Sequence, residues 1–419
     1  MRGAGQQLTR DEVDWRQLPA SSVTQATRVP GIQNQRCNRC LAVMTRANRL
    51  PSGAWYCQEC LTLGRVTDHT ELFRFPKRTE RIGDGQLTWQ GDLTADQARV
   101  SQELIATFDE RRDRLLWAVT GAGKTEMLFP LLAHALAKQA QIAIVSPRVD
   151  VILELAPRLQ QAFVNTPIAI LYGGQHEVIE SSLVLATTHQ LLRFYHAFDL
   201  VIVDEVDAFP YATVPMLDRA VHQASVGPII YLTATPSNAM LRAVQHQKLA
   251  VSYLARRFHQ FPLPKPQVKL ISTGLPTRAH YKMIEKMLIT RQLLFFVPHI
   301  EQLAPLQTWF KQQGIDCQTV HANDPERQPK VAAFRAGDFP VLVTTTILER
   351  GVTIARCAVI VWQADAALFS TSALVQMAGR AGRSADSPDD PVIYYAKHYT
   401  SAIHQARRQI HQMNRRPTP

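Results

Sequence analysis

The stretch Val119–Glu126, Val-Thr-Gly-Ala-Gly-Lys-Thr-Glu, has the residue types and spacing to bind phosphate. It follows an apolar run, Leu115–Val119, that reads as a buried strand, and precedes a run of helix formers, Met127–Leu136. Strand, glycine-rich turn and helix in succession are what a phosphate-binding loop needs. Glycines let backbone N–H groups approach phosphate oxygens, and a helix N-terminus favours negative charge. Thr120, Gly121, Ala122, Gly123, Lys124, Thr125 and Glu126 are the candidate nucleotide contacts. Lys124 is expected to reach the β- and γ-phosphates, and the Thr125 hydroxyl to bind Mg²⁺.

A second constellation follows the apolar run Leu200–Val203, which leads straight into Asp204-Glu-Val-Asp207. A strand that ends in carboxylates presents them at the sheet edge where ligands bind. Asp204 is assigned to Mg²⁺, held through its water shell, and Glu205 to orienting the attacking water. Asp207 is expected to relay closure rather than to perform chemistry. The same tetrapeptide at Asp11–Asp14 follows no strand and reads as coincidence. Thr233-Ala-Thr235 ends the next strand, where small hydroxyls can couple nucleotide state to lobe position.

Further on, Thr344–Val352 follows a strand, and Gln376–Arg383 places glycines beside arginines. Arg380 and Arg383 are candidate arginine fingers that donate to charge developing on the γ-phosphate.

Four of the six cysteines form two Cys-x-x-Cys turns, Cys37/Cys40 and Cys57/Cys60, with sixteen residues between them. Each turn can place two thiolates on one tetrahedral ion, so the spacing predicts a zinc site. His69 lies nearby, but four thiolates already complete the site. Cys317 and Cys357 are isolated and read as core thiols.

At 419 residues, two or three domains are expected. An apolar content of 46% is ample for packed cores. No run reaches the roughly 18 apolar residues of a membrane span, and Met1–Gln35 lacks a signal-peptide core, so a cytoplasmic location is expected. A net charge of +11 points to a polyanion, with nucleic acid first and an anionic membrane surface second. After Asp390 the chain is basic; a solvated helix and a binding patch both fit that tail.

The elements that must position these groups are two series of short apolar runs alternating with helical stretches, at 115–260 and 293–395. This is the parallel α/β pattern. Phe261–Gln267 holds three prolines and reads as a linker. The expected division is a flexible leader at 1–35, a zinc-binding module and connector at 36–90, a nucleotide-binding lobe at 91–260 and a second lobe at 261–419. Thr94 is a plausible cap for the helix that starts the first lobe.

Val119–Glu126, Ser146–Val151, Ala186–Leu192, Ile202–Asp207, Leu232–Pro236, Phe334–Ile354 and Gln376–Arg383 together resemble the superfamily-two helicases. With a four-Cys module in front of the motor, the chain is most similar to the ComFA family of late-competence DNA translocases. Ala118, where the common loop pattern has glycine, fits helicase-type motors, many of which begin the loop with alanine. The resemblance implies two RecA-like parallel-sheet lobes in tandem behind a small zinc-ribbon-like module. It implies ATP, Mg²⁺ and Zn²⁺ as cofactors and ATPase activity stimulated by single-stranded DNA. It further implies a role in drawing transforming DNA into the cytoplasm, at the inner face of the uptake channel and with a ComFC-like partner. A homo-oligomer is compatible with it. By motif position Gln97 reads adenine or is a plain surface glutamine, and Gly351 joins the nucleotide contacts. Arg148, Gly173, Thr187, Thr188, Thr344, Thr345 and Thr346 are candidate DNA contacts. The PriA replication-restart helicases share the motor and use zinc, but their cysteines lie within the helicase region. A nucleotide-gated docking protein with negligible turnover is the reading from another class; the complete catalytic set argues against it.

Overall fold

The computed structural model describes residues 3–174, 179–272, 274–349 and 354–416. Gly351 therefore lies outside the described residues. The chain divides into two compact units, Met1–Leu116 with Thr125–Ser252, and Trp117–Lys124 with Tyr253–Pro419. The division passes through the strand that enters the phosphate loop, so that loop counts with the second unit.

The N-terminal region is built from β1 (Gln7–Thr9), α1 (Ala20–Gln25), β2 (Thr27–Pro30), the small hairpin β3 (Ile32–Gln33) and β4 (Arg36–Cys37), and β5 (Glu71–Arg74). β5 is the centre of an antiparallel sheet in the order β1-β5-β2. This corrects the expectation of a flexible leader at 1–35. Leu8 and Val13 from the leader pack with Phe73 and Phe75 from beyond the cysteines. The few apolar residues of the leader are thus enough to close a small core, once the connector supplies the central strand. Glu12, in the first Asp-Glu-Val-Asp copy, pairs with the fully buried Arg39.

The first motor sheet follows from α2 (Ala95–Glu110), β6 (Arg114–Ala118), α3 (Lys124–Ala137), β7 (Ile142–Ser146), α4 (Val149–Ala162), β8 (Ile168–Leu171), β9 (Leu183–Thr187), β10 (Leu200–Asp204), α5 (Pro215–Ala224), β11 (Ile229–Thr233), α6 (Asn238–Gln245) and β12 (Ala250–Leu254). Its order is β12-β6-β11-β10-β7-β9-β8. β10 runs parallel to both β11 and β7, and β9 to both β7 and β8. β7, β9, β10 and β11 are buried along their whole length. That is why their sequences are continuous apolar runs rather than alternating ones. Thr94 caps α2 as expected, accepting from the Gln97 N–H at 3.3 Å.

The second motor sheet is made by β13 (Gln267–Leu270), α7 (Arg278–Leu288), β14 (Gln292–Phe296), α8 (Leu303–Gln312), β15 (Cys317–Val320), α9 (Arg327–Ala336), β16 (Val341–Thr344), β17 (Cys357–Val361), α10 (Thr371–Ala378), β18 (Val392–Ala396) and α11 (Ser401–Arg415). The order is β13-β18-β17-β14-β16-β15, parallel throughout. Leu293, Phe295, Val343, Ile360 and Trp362 form its core with Phe310 of α8. Cys317 and Cys357 are buried free thiols, as expected, and burial pushes Cys317 up to about 12. The basic tail is an ordered amphipathic helix, α11, seated on Ile403, Ala406, Ile410 and Met413. Two parallel-sheet lobes behind a four-Cys module are the predicted fold class.

Candidate active site and metal centre

The chemistry-bearing residues gather at strand ends because a parallel strand must hand over to a helix there. The phosphate loop follows β6, Thr233–Thr235 ends and follows β11, and Asp204–Glu205 closes β10. In the sheet these strands lie side by side, in the order β6-β11-β10. Gly121 and Gly123 have φ of 79° and 73°, a conformation that suits glycine and turns the loop tightly. Lys124 begins α3, and Thr125 is buried in its first turn.

Asp204 is buried, and its Oδ1 accepts the Glu205 N–H at 2.8 Å. Glu205 itself sits at φ 56°, a left-handed turn that redirects the chain at the end of the strand. Asp207 accepts from the hydroxyls of Thr233 at 2.6 Å and Thr235 at 2.5 Å. The Thr235 N–H in turn donates to Thr233 Oγ1 at 2.9 Å. The two motifs are thus joined through one carboxylate, a link their separation in sequence does not announce. Glu126 is paired with Arg158 of α4. Gln97 is buried, and its Oε1 accepts from the Thr94 N–H at 2.9 Å, so its side-chain oxygen closes a capping box. That placement removes the reading of Gln97 as a plain surface residue.

The candidate DNA contacts lie at other strand ends. Thr187 closes β9, and Thr188 opens the short turn after it; both are buried. Arg148 precedes α4 and pairs with Asp150 at 3.4 Å. Gly173 has open space where a side chain would begin. Thr344 ends β16 and Thr345 follows it, both buried, while Thr346 starts a half-buried turn. The hydroxyls of Thr188 and Thr344 are buried with no partner among the described residues.

In the second unit, Arg380 is buried and donates through Nε to Glu349 O at 2.8 Å. Arg383 donates through Nε to Gly379 O at 2.7 Å. A β-carbon placed on Gly121 would lie 3.0 Å from Arg383 Nη1, so this arginine and the phosphate loop approach closely. Arg257 was not anticipated. It is buried to 1% exposure and donates to the carbonyls of Gly379, Ala381 and Gly382, all within the arginine loop. Burial first, then Arg380, lowers its pKa to about 10, against a smaller opposing effect of Asp390. It precedes a proline-rich linker and belongs to no periodic pattern, so nothing in the sequence marked it.

Cys37, Cys40, Cys57 and Cys60 are all fully buried, and their sulfurs lie within 4.8 Å of one another. The Sγ–Sγ separations are 3.8 Å for Cys37–Cys60 and 3.4 Å for Cys40–Cys57. A tetrahedral ion with Zn–S bonds of about 2.3 Å needs sulfurs about 3.8 Å apart, so the cluster fits zinc. The thiol of Cys40 holds the Cys37 sulfur well below the usual thiol range, whereas hydrogen bonding with Cys37 pushes Cys60 above it. Four sulfurs this close compete for protons unless a cation neutralises them. The cluster is docked on the motor. Arg219 of α5 donates through Nε to Cys40 O at 2.9 Å and pairs with Glu59 at 2.5 Å. Gln223 Nε2 donates to Asn38 O at 3.0 Å.

Residues 279–385 match the family described as Helicase conserved C-terminal domain, and residues 90–238 match that described as Type III restriction enzyme, res subunit. The chain is 38% identical to "Competence protein ComFA" of Bacillus subtilis (strain 168), over 90% of this chain and 85% of that one. It is 39% identical to "Competence protein ComFA" of Streptococcus pneumoniae (strain ATCC BAA-255 / R6), over 93% and 94%. Among solved structures, it is similar to S. cerevisiae Dbp5 bound to RNA and ADP BeF3. That likeness has a TM-score of 0.55 and 15% identity, over 76% of this chain and 88% of that one. A second likeness is to RecG bound to a three-way DNA junction, with a TM-score of 0.55 and 18% identity, over 77% and 45%. Identities this low speak to the fold alone. No helix among the described residues is long and apolar enough to cross a membrane. The chain belongs to the ComFA family of competence proteins and is an ATP-dependent helicase of superfamily two.

Proposed function

We propose that the protein is an ATP-driven translocase on single-stranded DNA that helps draw transforming DNA into the cytoplasm. The observation that carries this reading is the row of motifs at neighbouring strand ends. The phosphate loop, the Thr233–Thr235 turn and the Asp204–Glu205 pair follow β6, β11 and β10, which are adjacent in the sheet. Such a row suits a nucleotide site whose state is felt along the sheet edge.

Thr120 to Glu126 hold the nucleotide's phosphates, and Gln97 and Gly351 complete its site. Thr125 and Asp204 hold Mg²⁺, which supplies charge neutralisation between phosphates. Glu205 orients the attacking water, and Arg380 and Arg383 donate to the charge that develops. Cys37, Cys40, Cys57 and Cys60 hold one structural Zn²⁺. Thr187, Thr188 and Arg148, with Gly173 and Thr344 to Thr346, grip the strand's phosphates. Such contacts are largely independent of base sequence and sensitive to salt. Hydrolysis alternates strong and weak grip, and unequal grip gives net steps. A ComFC-like protein and the inner face of the uptake channel are the proposed partners.

The test is steady-state phosphate release with single strand, duplex, fork and RNA in a salt series. Single-stranded DNA is expected to stimulate most. Strongest stimulation by forks would favour replication restart, and turnover indifferent to nucleic acid would favour a docking protein.

A further inference from the structure

Gly379, Ala381 and Gly382 expose their carbonyls in a turn that follows the end of α10, where no later helical residue can satisfy them. Side chains do so instead, and Arg257 alone reaches all three, while His259 Nε2 also donates to Gly382 O at 3.1 Å. Arg257 Nη1 donates to Ala381 O at 2.7 Å and to Gly382 O, and Nη2 lies 3.3 Å from Gly379 O. Gly379 O also accepts from Arg383 Nε at 2.7 Å, so Arg257 and Arg383 share one acceptor. From the other side, the buried Asp390 accepts the Gly382 N–H at 3.2 Å. The loop is held tightly enough that a β-carbon on Gly382, at φ 64°, would meet Pro388 O at 2.3 Å and Arg257 Nη1 at 2.9 Å.

A buried cation is costly unless its donors are used. Packing alone would be served by an apolar side chain of similar volume. A planar fork that reaches three carbonyls of one short loop fixes that loop's path instead. The adjacent residue, Phe258, makes a second link. The Phe258 N–H donates to Gly121 O at 3.1 Å, so consecutive residues of one segment engage the arginine loop and the phosphate loop, both in the second unit.

We propose that Arg257 is a positioning residue for ATP hydrolysis, setting the path of Gly379–Arg383 so that the arginines meet the γ-phosphate. This rests on the arginine-finger reading of Arg380 and Arg383 given above. Arg257 touches no reacting atom; it acts through the loop backbone. Misplacing a catalytic group by about 1 Å can cost about a hundredfold in rate.

The experiment compares Arg257→Lys, Arg383→Lys and the double variant in the full chain, with and without single-stranded DNA. Lys keeps the charge but cannot serve three carbonyls in one plane. Arg257→Lys is expected to lower DNA-stimulated kcat about tenfold or more, with the KM for ATP and the affinity for DNA within about threefold. In the Arg383→Lys background it is expected to cost less than about twofold more, because both changes remove the same interaction. Full stimulation surviving in Arg383→Lys would overturn the finger assignment and, with it, the role of Arg257. Stimulation lost in Arg383→Lys but kept in Arg257→Lys, or lowered by independent factors in the double variant, would overturn the positioning role alone. So would an Arg257→Lys chain that no longer melts cooperatively, since the residue would then be structural.

Discussion

Asp207 and Thr235 are joined by a 2.5 Å hydrogen bond, and the same carboxylate takes the Thr233 hydroxyl at 2.6 Å. Movement of either motif must therefore be felt by the other. Replacing Asp207 by Asn or Thr235 by Ala is expected to lower DNA-stimulated turnover severalfold and leave ATP affinity nearly unchanged. The double variant is expected to be no worse than the worse single one, because the two changes break one bond. Independent, multiplying effects in a double-mutant cycle would show that the bond carries no coupling.

Lys124 and Glu205 should separate binding from chemistry. Lys124→Ala removes a ground-state phosphate contact, so weaker ATP binding is expected in a direct titration. Glu205→Gln keeps shape but loses the carboxylate that orients water, so ATP is expected to bind and persist. Hydrolysis by Glu205→Gln at the unaltered rate would take Glu205 out of that role.

Arg383→Lys is expected to keep ATP and single-stranded DNA affinity within a few-fold while DNA-stimulated turnover collapses. An arginine finger is typically worth about 10³–10⁵ in rate, and Lys lacks the planar fork. Phosphate release at saturating ligands, beside binding titrations, reads this directly. Stimulation that survives in an Arg380/Arg383 double variant would place the activating charge elsewhere.

Removing zinc should unfold the N-terminal module without unfolding the motor. Structural zinc supplies about 10–16 kcal/mol of binding free energy to small modules. Cys40→Ala is expected to raise hydrogen exchange at residues 36–62 and, more weakly, in α5, whose Arg219 bonds to Cys40 O. Exchange in β14 and β16–β18 is expected to stay slow. Equimolar zinc retained by a Cys40/Cys57 double variant would disprove the site.

Asp390 is fully buried and accepts from Arg291 Nε at 2.7 Å, the Cys357 N–H at 3.0 Å and the Gly382 N–H at 3.2 Å. Asp390→Ala strands these three donors and the Ser387 hydroxyl, which also donates to the carboxylate at 2.5 Å, and a buried donor left without a partner costs about 1–3 kcal/mol. A matching drop in denaturant midpoint of the second unit is the expected outcome. An unchanged midpoint would mean that water replaces the carboxylate.

Much of this protein was legible in sequence because its signals are local. Continuous apolar runs mark strands buried on both faces, and β6, β7, β9–β11, β14 and β16–β18 follow those runs closely, while the edge strands β8 and β15 are each only partly buried. The phosphate loop, the carboxylate pair and the two Cys-x-x-Cys turns are short and contiguous, since each must bind its ligand within a few residues. The edge strands β12 and β13 were missed, for an edge strand need not be fully apolar.

The tertiary structure decided what depends on groups far apart in the chain. The leader folds because β1 and β2 find β5, some forty to sixty residues on, and no run within the leader foretells a partner at that distance. Gln97 closes a cap, Asp207 bonds both threonines, Arg219 holds the Cys40 carbonyl, and Arg257 holds three carbonyls of one turn. A buried donor must find an acceptor, but which acceptor it finds is settled only when packing brings the two together.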